Sequence, residues 1–319
     1  MNDRGPVFVV GLPRSGSTLL SRLLNDAGNI LSVNDLYCVQ AAIAGKMIDR
    51  TLDDHQAARL VDQILSVISL RSVSSDAFIG QICVPPAQLS SIRDAVLLRR
   101  CGPRRWHELM NDTLTRVAAS AGKSVWADKT PQNFLHIDML RGAFAGARFV
   151  FLIRDPRSVL ASYKFARGEG HDRRRYHPLP YSIYWRKAAR RYLEKRHDPD
   201  ILLIRYEELI RAPERTTSQL ARFLGTTIPT PRLMEIGHNS SFAAGTRQQL
   251  THTETWICEK TCHQEIEALG YPITHARPEL ADTPGIAFRG LRFCSFQLTR
   301  YIANTDARSR IDGFFRQIR

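Results

Sequence analysis

The chain has 319 residues, of which 43% are apolar and 24% charged, the composition of a globular protein with room for one large domain or two modest ones. No run approaches the ~20 apolar residues that a membrane-spanning helix needs, which excludes a span. The 45 Lys and Arg against 31 Asp and Glu leave a net charge of +14, which favours an anionic partner without choosing among nucleotide, nucleic acid, anionic lipid and acidic peptide.

The first six residues lead into a strand almost at once and leave no room for a cleavable leader, so a soluble, cytoplasmic protein is expected. The apolar run Val7–Val10 is followed by Gly11-Leu12-Pro13-Arg14-Ser15-Gly16-Ser17-Thr18 and then by Leu19, Leu20, Leu23 and Leu24. That order reads as strand, tight glycine loop and helix. Such a loop aims backbone N–H groups and the positive end of a helix dipole at one spot, which suits a phosphate or sulfate. The glycine spacing is that of a triphosphate-binding P-loop, yet the position that would carry its lysine holds Ser17. Triphosphate chemistry is therefore disfavoured; Arg14 supplies a cation from inside the loop, and nothing calls for magnesium.

The second apolar run, Ile30–Val33, ends at Asn34 and Asp35. A lone carboxylate after a strand usually serves as a helix cap, and that is the ordinary reading of Asp35. From about residue 36 to about residue 123 the pattern is helical with no convincing strand, an insertion suited either to an acceptor-binding lid or to extra packing. A third run, Ser124–Ala127, leads into Asp128-Lys129-Thr130-Pro131, and a fourth, Arg148–Ile153, into Arg154-Asp155-Pro156. Thr130 and Asp155 each precede a proline and are expected to cap the helices that follow. Lys129 and Arg154 then fall at carboxyl ends of strands, where open α/β sheets bind ligands. A surface ion pair with Asp155 or Asp128 is the competing reading of Arg154.

The glycine-bearing loop at 168–175 carries an arginine triplet that reads as a solvated turn before it reads as a binding device. The fifth run, Ile201–Ile204, leads into Arg205-Tyr206-Glu207-Glu208-Leu209. The six scattered cysteines read as reduced thiols. Cys258, Cys262 and His263 fall within a helical pattern and lack the fourth ligand of structural zinc, so no metal site is expected. From about 284 to 319 the chain is basic with interspersed aromatics, a helical tail that packs on its own domain, on a second subunit as a homo-oligomer, or on an acidic partner. Strands alternating with helices predict an α/β fold: a P-loop-like central parallel sheet flanked by helices, in one domain with the helical insertion.

Gly11 to Leu24, Asp128 to Pro131 and Arg154 to Ser162, in this order and each at a predicted strand end, resemble the motifs of the sulfotransferases that use 3′-phosphoadenosine 5′-phosphosulfate (PAPS). The resemblance is to the branch of protein-tyrosine and bacterial small-molecule sulfotransferases. It covers roughly Val7 to Leu224, with a weaker echo at Ala268-Leu269-Gly270-Tyr271. It implies that Arg14, Ser15, Gly16, Ser17 and Thr18 hold the 5′-phosphosulfate, that Arg154 and Ser162 grip the 3′-phosphate, and that Tyr206 lies near the adenine. Lys129 would act on the transferring group with help from Arg14, and Asp35 would take the acceptor's proton. Relatives in this branch carry glutamate at the position of Asp35, and other branches use histidine, which keeps His107 and His136 as rivals.

PAPS would be the donor and 3′-phosphoadenosine 5′-phosphate (PAP) the product, with no metal. The acceptor would be a small molecule or peptide offering a hydroxyl or an amine. Two other functions compete. A nucleotide or adenylyl-sulfate kinase is opposed by Ser17 and by the lack of an obvious magnesium-holding aspartate. A basic nucleic-acid-binding module is opposed by dispersed cations without a recognition motif, so no nucleic-acid partner is expected.

Overall fold

In a computed structural model the described residues are 5–73, 84–98, 104–165, 176–230 and 249–303. The 168–175 loop, the tail beyond 303, Cys83 and Cys101 lie outside them. In chain order the elements are β1 (Val7–Gly11), α1 (Ser17–Asp26), β2 (Ile30–Asn34), α2 (Cys38–Ala44), α3 (Asp54–Val73), α4 (Pro86–Leu97), α5 (Trp106–Ser120) and β3 (Val125–Lys129). A 3₁₀ turn at Pro131–His136 precedes α6 (Ile137–Ala143), β4 (Arg148–Ile153), α7 (Pro156–Lys164), α8 (Pro178–Lys195) and β5 (Ile201–Arg205). After these come α9 (Tyr206–Arg211), α10 (Pro213–Leu224), α11 (His252–Ala268), a second 3₁₀ turn (Leu280–Asp282) and α12 (Thr283–Ala303).

The chain divides into two compact units, one formed by Met1–Leu152 with His197–Arg232 and the other by Ile153–Arg196 with Leu233–Arg319. The first unit is built on a five-stranded sheet in the order β2-β3-β1-β4-β5. β1 runs parallel to β3 and β4, and β2 runs parallel to β3. Every residue of β1, β2 and β3 is buried, as expected for a parallel sheet covered on both faces. Val7 and Val9 point to one face, where Leu20, Leu23 and Leu24 of α1 pack on them. Each such leucine contributes about 1.5–3 kcal/mol by leaving water. Phe8 points to the other face and meets Trp126 edge-on, with ring centroids 5.7 Å apart, and Phe149 in a stack at 5.5 Å. Between β2 and β3 the described residues form four helices, α2 to α5, as the insertion predicted.

In the second unit α11 packs on α8 and α7. The contact is polar as well as apolar. Glu254 of α11, fully buried, pairs with Lys164 at 2.6 Å and with Arg289 of α12 at 3.0 Å, and Glu265 pairs with Arg190 at 2.5 Å. Cys258 and Cys262 are buried on the same helix, and the Cys262 thiol donates to the Ser182 carbonyl at 3.2 Å. The hydrogen bond to Cys258, then burial, pushes the Cys262 thiol up. His263 is instead exposed and lies 3.6 Å from Glu267. Among the described residues no group of His, Cys, Asp and Glu is arranged to hold a metal ion, and no helix is long and apolar enough to cross a membrane.

The two predicted caps behave differently. Asp155 caps α7, its Oδ1 accepting from the Arg157 amide at 2.9 Å. Thr130 makes no side-chain cap, and the helix that it precedes starts as a 3₁₀ turn. Its hydroxyl donates to Asp128 at 2.6 Å and its oxygen accepts from the Tyr37 amide at 3.5 Å rather than from an amide of the turn that follows.

Candidate active site

Gly11 closes β1 at φ +137°, with the Leu152 carbonyl so near that a Cβ there would lie 2.2 Å from its oxygen. Only glycine fits that approach. The chain then turns through Arg14, itself left-handed at φ 73°, and reaches Gly16, the N-cap of α1, at φ 94°. Gly16 has no side chain to satisfy the first-turn amides of α1, whose first helical bond runs from Leu20 N to Gly16 O. The amides of Ser17, Thr18 and Leu19 therefore face the space ahead of the helix. Ser15 adds a hydroxyl that is buried and without a hydrogen-bond partner, an expensive state that an oxyanion would relieve. Arg14 and Thr18 are exposed on the same loop. A Cβ on Gly16 would lie 2.2 Å from the Tyr206 ring, so the first turn of α9 brings Tyr206 directly onto the loop.

The neighbouring strand ends carry the second part of the site. The register places Asn34 opposite Lys129, and the Asp35 amide donates to the Lys129 carbonyl at 2.9 Å. Lys129 Nζ lies 3.1 Å from each carboxylate oxygen of Asp35. α2 is entered through Tyr37, whose side chain makes no cap, so Asp35 faces the lysine rather than a helix start. Asp35 and Tyr37 both adopt left-handed backbone, at φ 56° and 52°. Such strain costs about 1–3 kcal/mol per residue and persists only where its surroundings impose it.

Beneath this pair Asp128 is fully buried. One oxygen accepts from Thr130 at 2.6 Å, the other from Asn133 Nδ2 at 2.9 Å. Burial pushes its carboxyl up to about 7; Thr130, Asn133 and the Lys129 charge oppose the rise and Asp35 adds to it. The folded protein thus holds a proton there that the unfolded chain releases near pH 4. The stability from this group is fully present below about pH 4 and is lost as pH rises through about 7. The unfolding free energy of the wild type minus that of Asp128→Asn should therefore fall by about 1.4 kcal/mol per pH unit between pH 5 and 7. Denaturant titrations of both proteins at several pH values check this, and a constant difference would contradict it.

The other predicted residues fall as follows. Arg154 is buried at the end of β4, in the second unit, and its carbonyl accepts from Trp185 Nε1 at 2.9 Å. Ser162 lies on α7 in the same unit. α7 is anchored by Arg157, which pairs with Asp155 at 2.6 Å and with Glu259 at 2.8 Å. Burial raises the Glu259 carboxyl, but donors from Thr274 and Arg157 outweigh it and hold it below the usual carboxylate range. His107 packs on Trp106 and Phe144, with ring centroids 5.7 and 6.0 Å away. Phe144 lies just before β4, so His107 sits toward the amino ends of the strands, away from Lys129. Burial lowers its imidazole, with Arg105 reinforcing and Glu108 opposing. His136 ends the 3₁₀ turn that follows Thr130.

A sequence model described as the Sulfotransferase family matches residues 6–230 of the chain. The chain belongs to the sulfotransferase family. Among curated proteins it resembles the nodulation protein NoeE of Sinorhizobium fredii (strain NBRC 101917 / NGR234), at 27% identity over 157 residues, 49% of this chain and 30% of NoeE. The match thus spans less than a third of that relative. Among solved structures it resembles the sulfotransferase domain of the Synechococcus PCC 7002 olefin synthase, with TM-score 0.49, 18% identity and coverage of 85% of this chain and 98% of that one. Retinol dehydratase in complex with retinol and PAP aligns with TM-score 0.36 and 15% identity over 84% of this chain and 83% of that one.

In this member of the sulfotransferase family, Tyr206 meets the glycine loop at Gly16 and Asp35 meets Lys129 at neighbouring strand ends, all within the first unit. Sequence reasoning missed the part played by Asp128 and Asn133. Their signal was present: an acid that follows three apolar residues in a buried strand, two residues before a threonine and five before an asparagine, is a carboxylate that needs local donors.

Proposed function

We propose that this sulfotransferase moves a sulfuryl group from PAPS to an acceptor hydroxyl or amine, with Asp35 as general base. The observation that carries the reading is the contact of Lys129 with both oxygens of Asp35, at strand ends beside a glycine loop that lacks a P-loop lysine. The donor set fits the nucleotide. Free first-turn amides and the unpaired Ser15 hydroxyl suit a phosphosulfate, and a guanidinium with a serine hydroxyl suits a 3′-phosphate.

PAPS, when bound, supplies the sulfuryl group and leaves as PAP. The protein's own residues do the rest. The loop from Arg14 to Thr18 would hold the sulfate-bearing phosphate, Arg154 and Ser162 would hold the 3′-phosphate, and Tyr206 would meet the nucleoside. Lys129 and Arg14 place positive charge where negative charge gathers during transfer. Asp35 takes the acceptor's proton as the acceptor's new bond to sulfur forms and the old sulfur–oxygen bond breaks. The acceptor is a small molecule or a peptide.

PAP should raise the unfolding temperature far more than ATP or ADP, which lack a 3′-phosphate. At a hundred times its dissociation constant PAP adds about 2.7 kcal/mol of stability. Arg154→Ala should weaken PAP binding by about 1.5–3 kcal/mol through the loss of a charged hydrogen bond. Equal stabilisation by ATP would sink the reading, and unchanged PAP affinity in Arg154→Ala would move the 3′-phosphate elsewhere. Incubation with radiolabelled PAPS and a panel of sugars, phenols, amines and tyrosine peptides then identifies the acceptor.

A further inference from the structure

We propose that Asp128 is a positioning residue that holds Asp35 and Lys129 face to face by fixing, through Thr130 and Asn133, the segment that follows β2. The proposal rests on the reading of Asp35 and Lys129 given above and concerns what keeps them in place.

Two hydrogen-bonded routes leave the Asp128 carboxylate, and both end on that segment. In the first, Thr130 Oγ1 donates to Asp128 at 2.6 Å and accepts from the Tyr37 amide at 3.5 Å. In the second, Asn133 Nδ2 donates to Asp128 at 2.9 Å, and Asn133 Oδ1 accepts from Gln40 Nε2 of α2 at 3.0 Å. The carboxylate orients both relays. Above about pH 7, where the carboxylate is ionised and its oxygens only accept, the threonine hydroxyl must point its proton inward and present a lone pair to Tyr37. Asn133 must likewise turn its amide nitrogen inward and its oxygen to Gln40. The segment so held is the one that needs holding, because Asp35 and Tyr37 sit in left-handed backbone that side chains avoid. Asp128, Thr130 and Asn133 are themselves buried, so water does not compete for these bonds. The Asp35 amide bond to the Lys129 carbonyl ties the segment to the same strand end. Loosening the relays frees Asp35 to leave Lys129 without removing any group that meets the donor.

The test uses three variants of the full chain. Thr130→Val keeps the shape and removes the hydroxyl, Thr130→Ser keeps the hydroxyl, and Asp128→Asn puts an amide donor where one of the two accepting oxygens stood. Assayed at pH 8, where Asp128 is ionised, Thr130→Val and Asp128→Asn should lower kcat ten- to a hundredfold with KM for PAPS and the PAP-induced thermal shift within twofold of the wild type. Thr130→Ser should stay within threefold of wild-type kcat. A crystal structure of Thr130→Val should show Lys129 Nζ farther than 4 Å from both Asp35 oxygens. A kcat within twofold of the wild type in Thr130→Val, or equal impairment in Thr130→Ser and Thr130→Val, would overturn the proposal. If Asp128→Asn does not fold, the Thr130 pair decides. Should the wild type transfer nothing from PAPS, the functional reading fails, and the Lys129 to Asp35 separation in Thr130→Val still decides the positioning role.

Discussion

Asp35→Asn should lower turnover by on the order of a hundred- to ten-thousand-fold while leaving PAP binding intact. The substitution keeps the size of the side chain and one oxygen that can accept from Lys129, so the fold and the strand-end geometry survive while basicity is lost. The size of the effect follows from the need to remove the acceptor's proton as its oxygen or nitrogen attacks sulfur. Single-turnover rates with PAPS in excess separate this from acceptor binding. If Asp35→Asn turns over near normally on the true acceptor while His136→Ala or His107→Ala abolishes it, the base is that histidine. His107 packs on Trp106 and Phe144 rather than beside Lys129, which is the ground for proposing Asp35 over His107.

Lys129→Ala should lower kcat by on the order of a hundredfold or more, with a much smaller change in PAP affinity. Two effects compete to explain such a loss: unfolding after an ion pair is broken, and the loss of charge at the reacting group. The second wins. Lys129 is 5% exposed but its partner Asp35 is 31% exposed, so an unpaired Asp35 is rehydrated where it stands. Truncating the lysine also leaves the Asp128, Thr130 and Asn133 bonds untouched, since these run through other side chains. A variant with wild-type unfolding temperature and PAP shift but little turnover assigns Lys129 to the charge that develops during transfer. If only KM for PAPS rises, Lys129 binds the ground state.

Much of the fold was legible because parallel strands buried on both faces appear as uninterrupted apolar runs. Val7–Val10 and Arg148–Ile153 show this directly; β4 coincides with its run, and the other strands differ from the predicted ones by one or two residues at their ends. The Asp155-Pro156 cap was legible because an N-cap is a local event. Thr130-Pro131 has the same appearance, yet its hydroxyl goes to Asp128, and only the burial of that carboxylate reveals the preference. The contact between Lys129 and Asp35 joins residues far apart in the chain, so it follows from strand order rather than from pattern. Tyr206 reaches Gly16 for the same reason. The buried pairs of Glu254 and Glu259 were illegible, since acids along a helix look alike whether they face water or arginine.

The sheet order has a consequence for synthesis. β1 is flanked by β3 and β4, and its first partner in sequence, Ala127 opposite Val7, lies about 120 residues downstream. At about 5–20 residues per second, the nascent chain carries an unpartnered apolar strand and its leucine-rich helix for many seconds while the insertion is being translated. The glycine loop takes its shape late, once β4 arrives on the ribosome-borne chain and the Leu152 carbonyl closes over Gly11. Until β3 arrives, Val7 and Val9 of β1 can bury themselves, within their core cluster, only against α1 and β2.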